Sequence, residues 1–119
     1  MLELVYSPEA QDDLKQILDY TLGFWGKESY YRYEKLLALA EIQIRRNPNP
    51  LYARQFPSIS PSIHGLPLWL VTQPDPNLRV KNPPHIVYYR IVNDQTVEIL
   101  RILHRSMNSK AVLQRPLPL

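Results

Sequence analysis

The sequence predicts an α+β fold of order β-α-α-β-β-β, a helical hairpin packed on one face of a small antiparallel sheet. Three observations predict it. Apolar residues recur three and four apart through the first forty or so positions, which is the period of a helix with one buried face. Near the end of the chain they give way to two β-rich runs separated by a polar turn. The 12 prolines spare residues 9–47 entirely and crowd nine strong into residues 48–84, separating regular from irregular chain. At 119 residues the chain has the length of one domain, residues 1–119, with a proline-rich insertion at 57–84 and a C-terminal tail at 109–119.

Leu2, Leu4 and Tyr6 alternate against Glu3 and Val5, giving a short first strand over residues 2–6. Ser7-Pro8-Glu9 then opens a helix. The serine hydroxyl can accept from a free first-turn N–H, proline loses nothing at the first helical position, and Glu9, Asp12 and Asp13 suit the positive helix end. Ala10, Leu14, Ile17, Leu18 and Thr21 line one stripe, and Gly23 or Gly26 ends the helix. A second helix runs over about residues 27–46, with Tyr30, Tyr33, Leu37, Ala40 and Ile44 in phase and Asn47-Pro48-Asn49-Pro50 as its stop. So short a link implies an antiparallel pair. On this spacing Trp25, Tyr30, Tyr31 and Tyr33 are read as core.

In the proline-rich stretch only residues 64–72 offer a strand, which Pro67 confines to a sheet edge or delays to residues 68–72. Two clearer strands follow, HIVYYRIV (85–92) and TVEILRIL (96–103), joined by Asn93-Asp94-Gln95. The last strand carries Val97, Ile99, Arg101 and Leu103 on one parity and Glu98, Leu100, Ile102 and His104 on the other. Both are largely apolar. Two helices cover one face, so the second needs a partner or the tail residues Ala111, Val112, Leu113, Leu117 and Leu119.

Composition excludes much chemistry. The chain has no cysteine, which removes disulfides, thiolate zinc sites, iron–sulfur clusters and thiol catalysis. Its glycines stand only at 23, 26 and 65, so there is no phosphate-cradling loop and no nucleophile elbow. His64, His85 and His104 lie about twenty residues apart, without the close pairing that makes a metal site legible, so neither metal nor cofactor is expected. The opening MLELVYSPEA lacks a basic then apolar leader and no apolar run is long enough for a span, so a soluble, cytoplasmic protein that avoids membranes is expected. Charge is partitioned: net +3 overall, but −4 over residues 1–20, zero over 21–41 and +7 over 42–119. A basic back half gathered on one surface attracts an acidic partner or a phosphate backbone.

Around the final hairpin stand Arg79, Lys81, His85, Tyr88, Tyr89, Arg90, Arg101, His104 and Arg105. Cleaving RNA through its own 2′-hydroxyl needs a base, an acid and a cation for the phosphorane charge, and histidine or tyrosine with arginine can fill these roles without metal. The alternative is structural: a buried Tyr88 or Tyr89, solvated arginines and a histidine at a strand end.

Leu4-Val5-Tyr6-Ser7-Pro8-Glu9-Ala10 with Asp13-Leu14, the Trp25-Gly26 joint, Asn47-Pro48, Ile86-Val87-Tyr88-Tyr89-Arg90-Ile91, and the run from Val97 to Arg105 together resemble the RelE/ParE superfamily of toxins from bacterial type II toxin–antitoxin pairs. The likeness covers about residues 2–56 and 85–108 and lies closer to the ParE branch through Leu-Arg-Ile-Leu-His-Arg. It implies a small basic toxin neutralised by a cognate antitoxin in a hetero-oligomer, with Val97, Ile99, Leu100, Ile102 and Leu103 as antitoxin-binding residues. ParE members poison DNA gyrase. RelE members are metal-independent endoribonucleases cutting messenger RNA on the ribosome, and under that reading Arg101 and His104 are the catalytic pair. Arg79, Lys81, Arg90, Arg105 and Tyr88 are the candidates for target or phosphate contact. A third reading is a degenerate toxin fold that only binds.

Overall fold

The computed structural model describes residues 1–49 and 62–113. Its elements are β1 (Glu3–Tyr6), α1 (Pro8–Arg46), β2 (Ile63–Pro67), two single 3₁₀ turns, β3 (His85–Asn93), β4 (Thr96–His104) and a short α2 (Ser109–Leu113). Ser7 starts α1 as its sequence requires, its Oγ accepting from Ala10 N at 3.0 Å.

Helical hydrogen bonding continues through α1 except at Gly26, whose φ of 88° and ψ of −179° break it. Only glycine adopts that backbone readily, and no atom crowds a Cβ there, so conformation and not space demands it. A straight helix of 39 residues would run about 58 Å. The longest dimension of the molecule is 39 Å, so the chain doubles back at Gly26 into two arms, residues 8–25 and 27–46. The start of the hairpin is tied to β4, Ser7 N donating to Ile99 O at 2.9 Å, and its end returns beside the start of β1, Leu2 N donating to Arg45 O at 3.3 Å.

The sheet order is β1-β4-β3-β2, with β3 antiparallel to both neighbours but β1 parallel to β4. The all-antiparallel sheet expected from the sequence is therefore corrected to a mixed one. The hairpin explains why. Its second arm returns the chain beside the start of β1, so the meander that follows starts in the sense of β1, and its third strand, β4, runs in that sense again. β2 is an edge strand, as its proline implied, but it ends at Pro67; residues Leu68–Leu70 form a 3₁₀ turn instead of a delayed strand.

One core joins Tyr33, Leu36, Leu37, Ala40 and Ile44 of the second arm to Val87 and Tyr89 of β3 and Val97, Ile99 and Ile102 of β4. Fully burying such a side chain contributes about 1.5–3 kcal/mol. The first arm is anchored less deeply: Leu14, Ile17 and Leu18 are only half-buried. The tip is open, with Phe24 72%, Trp25 69% and Tyr31 48% exposed, so Trp25 and Tyr31 are surface residues and not the core expected of them. Helical phase cannot bury them because the arms at Gly26 extend beyond the sheet.

Alternation along β4 fails at one place. Tyr88 pairs Arg101 and Tyr89 pairs Ile99, leaving Leu100 as the extra residue of a bulge. Ser7 Oγ donates to the Leu100 carbonyl at 2.7 Å and holds it. The bulge changes the parity, so Val97 and Ile99 before it and Ile102 after it all enter the helix-side core, while Leu103 packs on the other face with Ile86 and Tyr88. Val112 and Leu113 of α2 cover that second cluster. Leu117 and Leu119 lie outside the described residues, as do residues 57–61 of the proline-rich insertion.

Candidate functional site

The open ends of β3 and β4 bring two histidines together. His85 is the first residue of β3 and His104 the last of β4; they are cross-strand partners, with ring centroids 5.5 Å apart at 86°. Tyr33 from the second arm reaches the same spot, its hydroxyl 2.5 Å from His85 Nδ1 and its ring edge-on to the imidazole. Burial pushes the Tyr33 phenol well above its ordinary range, so the hydroxyl keeps its proton and can donate it to Nδ1 when the neutral ring holds its proton on Nε2. Burial also lowers His85, to about 4, with neighbouring His104 adding to the effect and Asp13 opposing it. His85 is therefore neutral at physiological pH.

His104 Nδ1 accepts from Ser106 N at 3.0 Å, and Ser106 Oγ lies 2.7 Å from the same atom. A backbone N–H can only donate, so Nδ1 carries no proton and the neutral ring holds it on Nε2. With Tyr33 donating to His85, both imidazoles present Nε2–H as their remaining donor. They line a cavity of about 880 Å³ between the hairpin and the strand ends, walled by Ile17, Tyr20, Thr21 and Trp25 on one side and by Arg79, Val80, Lys81 and Pro84 on the other. Asn82, at φ 52°, makes the left-handed turn between Lys81 and the prolines, a conformation asparagine tolerates.

Neutral His85 links folding to pH. The unfolded chain protonates this group near 6.5 and the folded chain only near 4, so between these values the unfolded state binds more protons and stability falls as pH falls. We expect wild type to lose about 2 kcal/mol relative to His85→Gln across that window, less than full burial would give because the ring retains some solvent. Urea unfolding of both proteins at pH 4 and pH 7 measures it; parallel pH profiles would remove His85 from the account.

Of the residues singled out from sequence around the final hairpin, His85, His104, Arg79 and Lys81 meet in this cavity. Arg101, Arg90, Arg105 and Tyr88 do not. Arg101 is bound by the first arm: its Nε donates to Asp13 Oδ2 at 2.7 Å and its Nη2 to Asp13 Oδ1 at 3.0 Å, and Oδ2 also accepts from Ile102 N at 3.0 Å. Asp13 thereby closes the edge of β4 where β1 has ended and ties Arg101 to the first arm. Arg90 pairs with Glu98 at 2.7 Å elsewhere on the sheet. Arg105 is exposed beyond β4, and Tyr88 is buried under α2 with its hydroxyl on Ser109 Oγ at 2.7 Å. Val97, Ile99, Ile102 and Leu103 are at most 2% exposed and Leu100 is half-buried in the bulge, so the surface expected to receive an antitoxin is interior in this conformation. Val97, Ile99 and Ile102 lie in the helix-side core and Leu103 in the second cluster under α2.

Sequence reasoning passed over Tyr33, Arg32 and Trp25 as site residues. It held one usable signal for the histidine pair. A tight turn at Asp94-Gln95 with strands of nine residues each places the first residue of β3 opposite the last of β4. The two register shifts fall on opposite strands, one at Leu100 and one at Val92, and cancel.

Comparison with known proteins follows this geometry. Residues 4–109 match the family model described as ParE toxin of type II toxin-antitoxin system, parDE. The chain is similar to Toxin ParE1 of Caulobacter vibrioides, 30% identical over 112 residues that cover 90% of this chain and 93% of that protein. It is also similar to Toxin ParE1 of Mycobacterium tuberculosis, 26% identical over 102 residues, covering 86% and 88%. Among solved structures, one from the chromosomal ParDE TA system of P. aeruginosa superposes with a TM-score of 0.51 at 22% identity, covering 87% of this chain and 96% of that one. That likeness concerns the fold. Among the described residues no helix is long and apolar enough to cross a membrane.

Proposed function

The chain belongs to the ParE toxin family of type II toxin–antitoxin systems, and from that premise we propose that it arrests growth in the cytoplasm by inhibiting DNA gyrase as a binding protein, making and breaking no bond, until a cognate antitoxin neutralises it. The observation that carries this reading over ribosome-dependent RNA cleavage is the Asp13–Arg101 pair. A nuclease needs a cation free to stabilise the phosphorane, and the arginine expected to serve is held by two hydrogen bonds to a carboxylate of the fold. The antitoxin, on this reading, covers exposed surface and leaves Val97, Ile99 and Ile102 in the core.

The test runs two assays on one preparation: supercoiling of relaxed plasmid by gyrase, and integrity of messenger RNA in a translating ribosome system. The expected result is loss of supercoiling with intact messenger. Messenger cleavage that disappears in His104→Ala, with gyrase unaffected, would reverse the choice in favour of the endoribonuclease.

A further inference from the structure

We propose that the cavity between the helical hairpin and the ends of β3 and β4 is a nucleotide-binding site, taking the phosphate against Arg79, Lys81 and the histidine pair and the base against Trp25. The proposal does not depend on the gyrase reading and goes beyond it.

Three observations meet in one place. The lining carries Arg32, Arg79 and Lys81 and no carboxylate. Among the described residues Arg32 pairs with Glu28 at 3.6 Å, and with its side chain 87% exposed that carboxylate is spent largely on solvent. Asp13, which acts on His85 from behind, is already committed to Arg101. The cavity therefore has a net positive field focused between apolar walls, which concentrates anions.

The second observation is the donor set. Both Nδ1 atoms are occupied as acceptors, by Tyr33 Oη and by Ser106 N, which leaves two neutral Nε2–H groups to donate. Neutral donors beside cations suit the several oxygens of a phosphate, each able to accept more than one hydrogen bond.

The third is aromatic surface without a structural use. Trp25 is 69% and Tyr20 58% exposed at the mouth of the cavity, although the core has no need of either ring. Tyr20 is steadied by stacking on Phe24 at 4.5 Å. A free inorganic anion would not use these rings, and an apolar ligand would not use the cations. A flat base joined to a phosphate uses both, as stacking platforms beside basic grooves do for single strands. The volume of about 880 Å³ holds one such unit with room for a neighbour, so the nucleotide can be free or part of a single strand.

The chain has two tryptophans, so Trp69→Phe leaves Trp25 as the only indole and turns the site into its own reporter. Fluorescence of that protein is titrated with 5′-AMP, adenosine, inorganic phosphate, a six-residue oligodeoxyadenylate and an acidic tyrosine-containing peptide. We expect saturable quenching by AMP, with adenosine and phosphate each binding at least about tenfold more weakly, since each lacks one half of the recognised chemistry. Lys81→Ala and Arg79→Ala, both at exposed positions and checked by melting temperature because Arg79 also donates to the Gln73 carbonyl at 3.3 Å, should each weaken AMP by about tenfold. Tighter binding of the oligomer than of AMP assigns the site to single strands, and equal binding assigns it to free nucleotide. AMP no better than adenosine, no effect of Lys81→Ala, or preference for the acidic peptide would overturn the proposal.

Discussion

Leu37→Asp unfolds the protein. Leu37 is 4% exposed on the second arm, within the cluster that joins the hairpin to β3 and β4. A carboxylate there has no cation to meet, and the chain must either protonate it, keep it charged in an apolar interior or expose it by unfolding. Burying an unpaired polar or charged group costs several kcal/mol, and the lost leucine packing adds about 2 to 5 more. Against a total stability of about 5–15 kcal/mol this abolishes or nearly abolishes the folded state. Leu14→Asp on the first arm should cost less, because Leu14 is only half-buried and the charge can turn toward water. Ile42→Asp, at a site 38% exposed on the same arm as Leu37, is the control and should change little. Circular dichroism melting of the three variants decides it. A Leu37→Asp protein that melts with wild type would refute the packing of the second arm on the sheet.

Asp13→Ala should cost about 3 kcal/mol, the largest effect of any substitution at a polar residue described above. The side chains of Asp13 and Arg101 are 12% and 27% exposed, and one carboxylate satisfies both the guanidinium and the Ile102 N–H. Deleting it leaves a partly buried cation and an edge donor without their partner, which places the cost at the lower end of that for breaking a buried pair. Arg101→Met removes the cation but leaves Asp13 its bond from Ile102 N, so it should cost less, and the double variant should recover part of the loss, with a coupling of about 1–3 kcal/mol. Urea unfolding of the four proteins completes the cycle. If Arg101 were instead a catalytic group, Arg101→Met would abolish activity at unchanged stability and the cycle would show no coupling. An Asp13→Ala protein within about 0.5 kcal/mol of wild type would end the structural role assigned to the pair.

Local signals carried the element plan because they act over a turn or two of chain. Ser7-Pro8-Glu9 opens α1, Gly26 divides it, and period-two alternation and a polar turn build β3 and β4. The charged and aromatic makeup around the final hairpin also pointed to residues that share one cavity, since His104, Arg79 and Lys81 were all named from it.

What the sequence by itself determined, then, was the order and type of the elements, the edge position of β2 and the need to cover a second sheet face. The tertiary structure alone decided which residues those elements bring together. Asp13 and Arg101 are 88 positions apart, and Tyr33 and His85 are 52 apart. No periodicity reaches across such distances. Parallel pairing of β1 with β4 followed from where the hairpin returns the chain, a matter of arm lengths in space. The bulge at Leu100, held by the Ser7 hydroxyl, decided which residues of β4 face which side, because one extra residue reverses every side chain beyond it. Trp25 and Tyr31 have the spacing of core residues but stay 69% and 48% exposed near the turn of the hairpin. Period selects the face of a helix, and only the positions of its neighbours decide whether that face is buried.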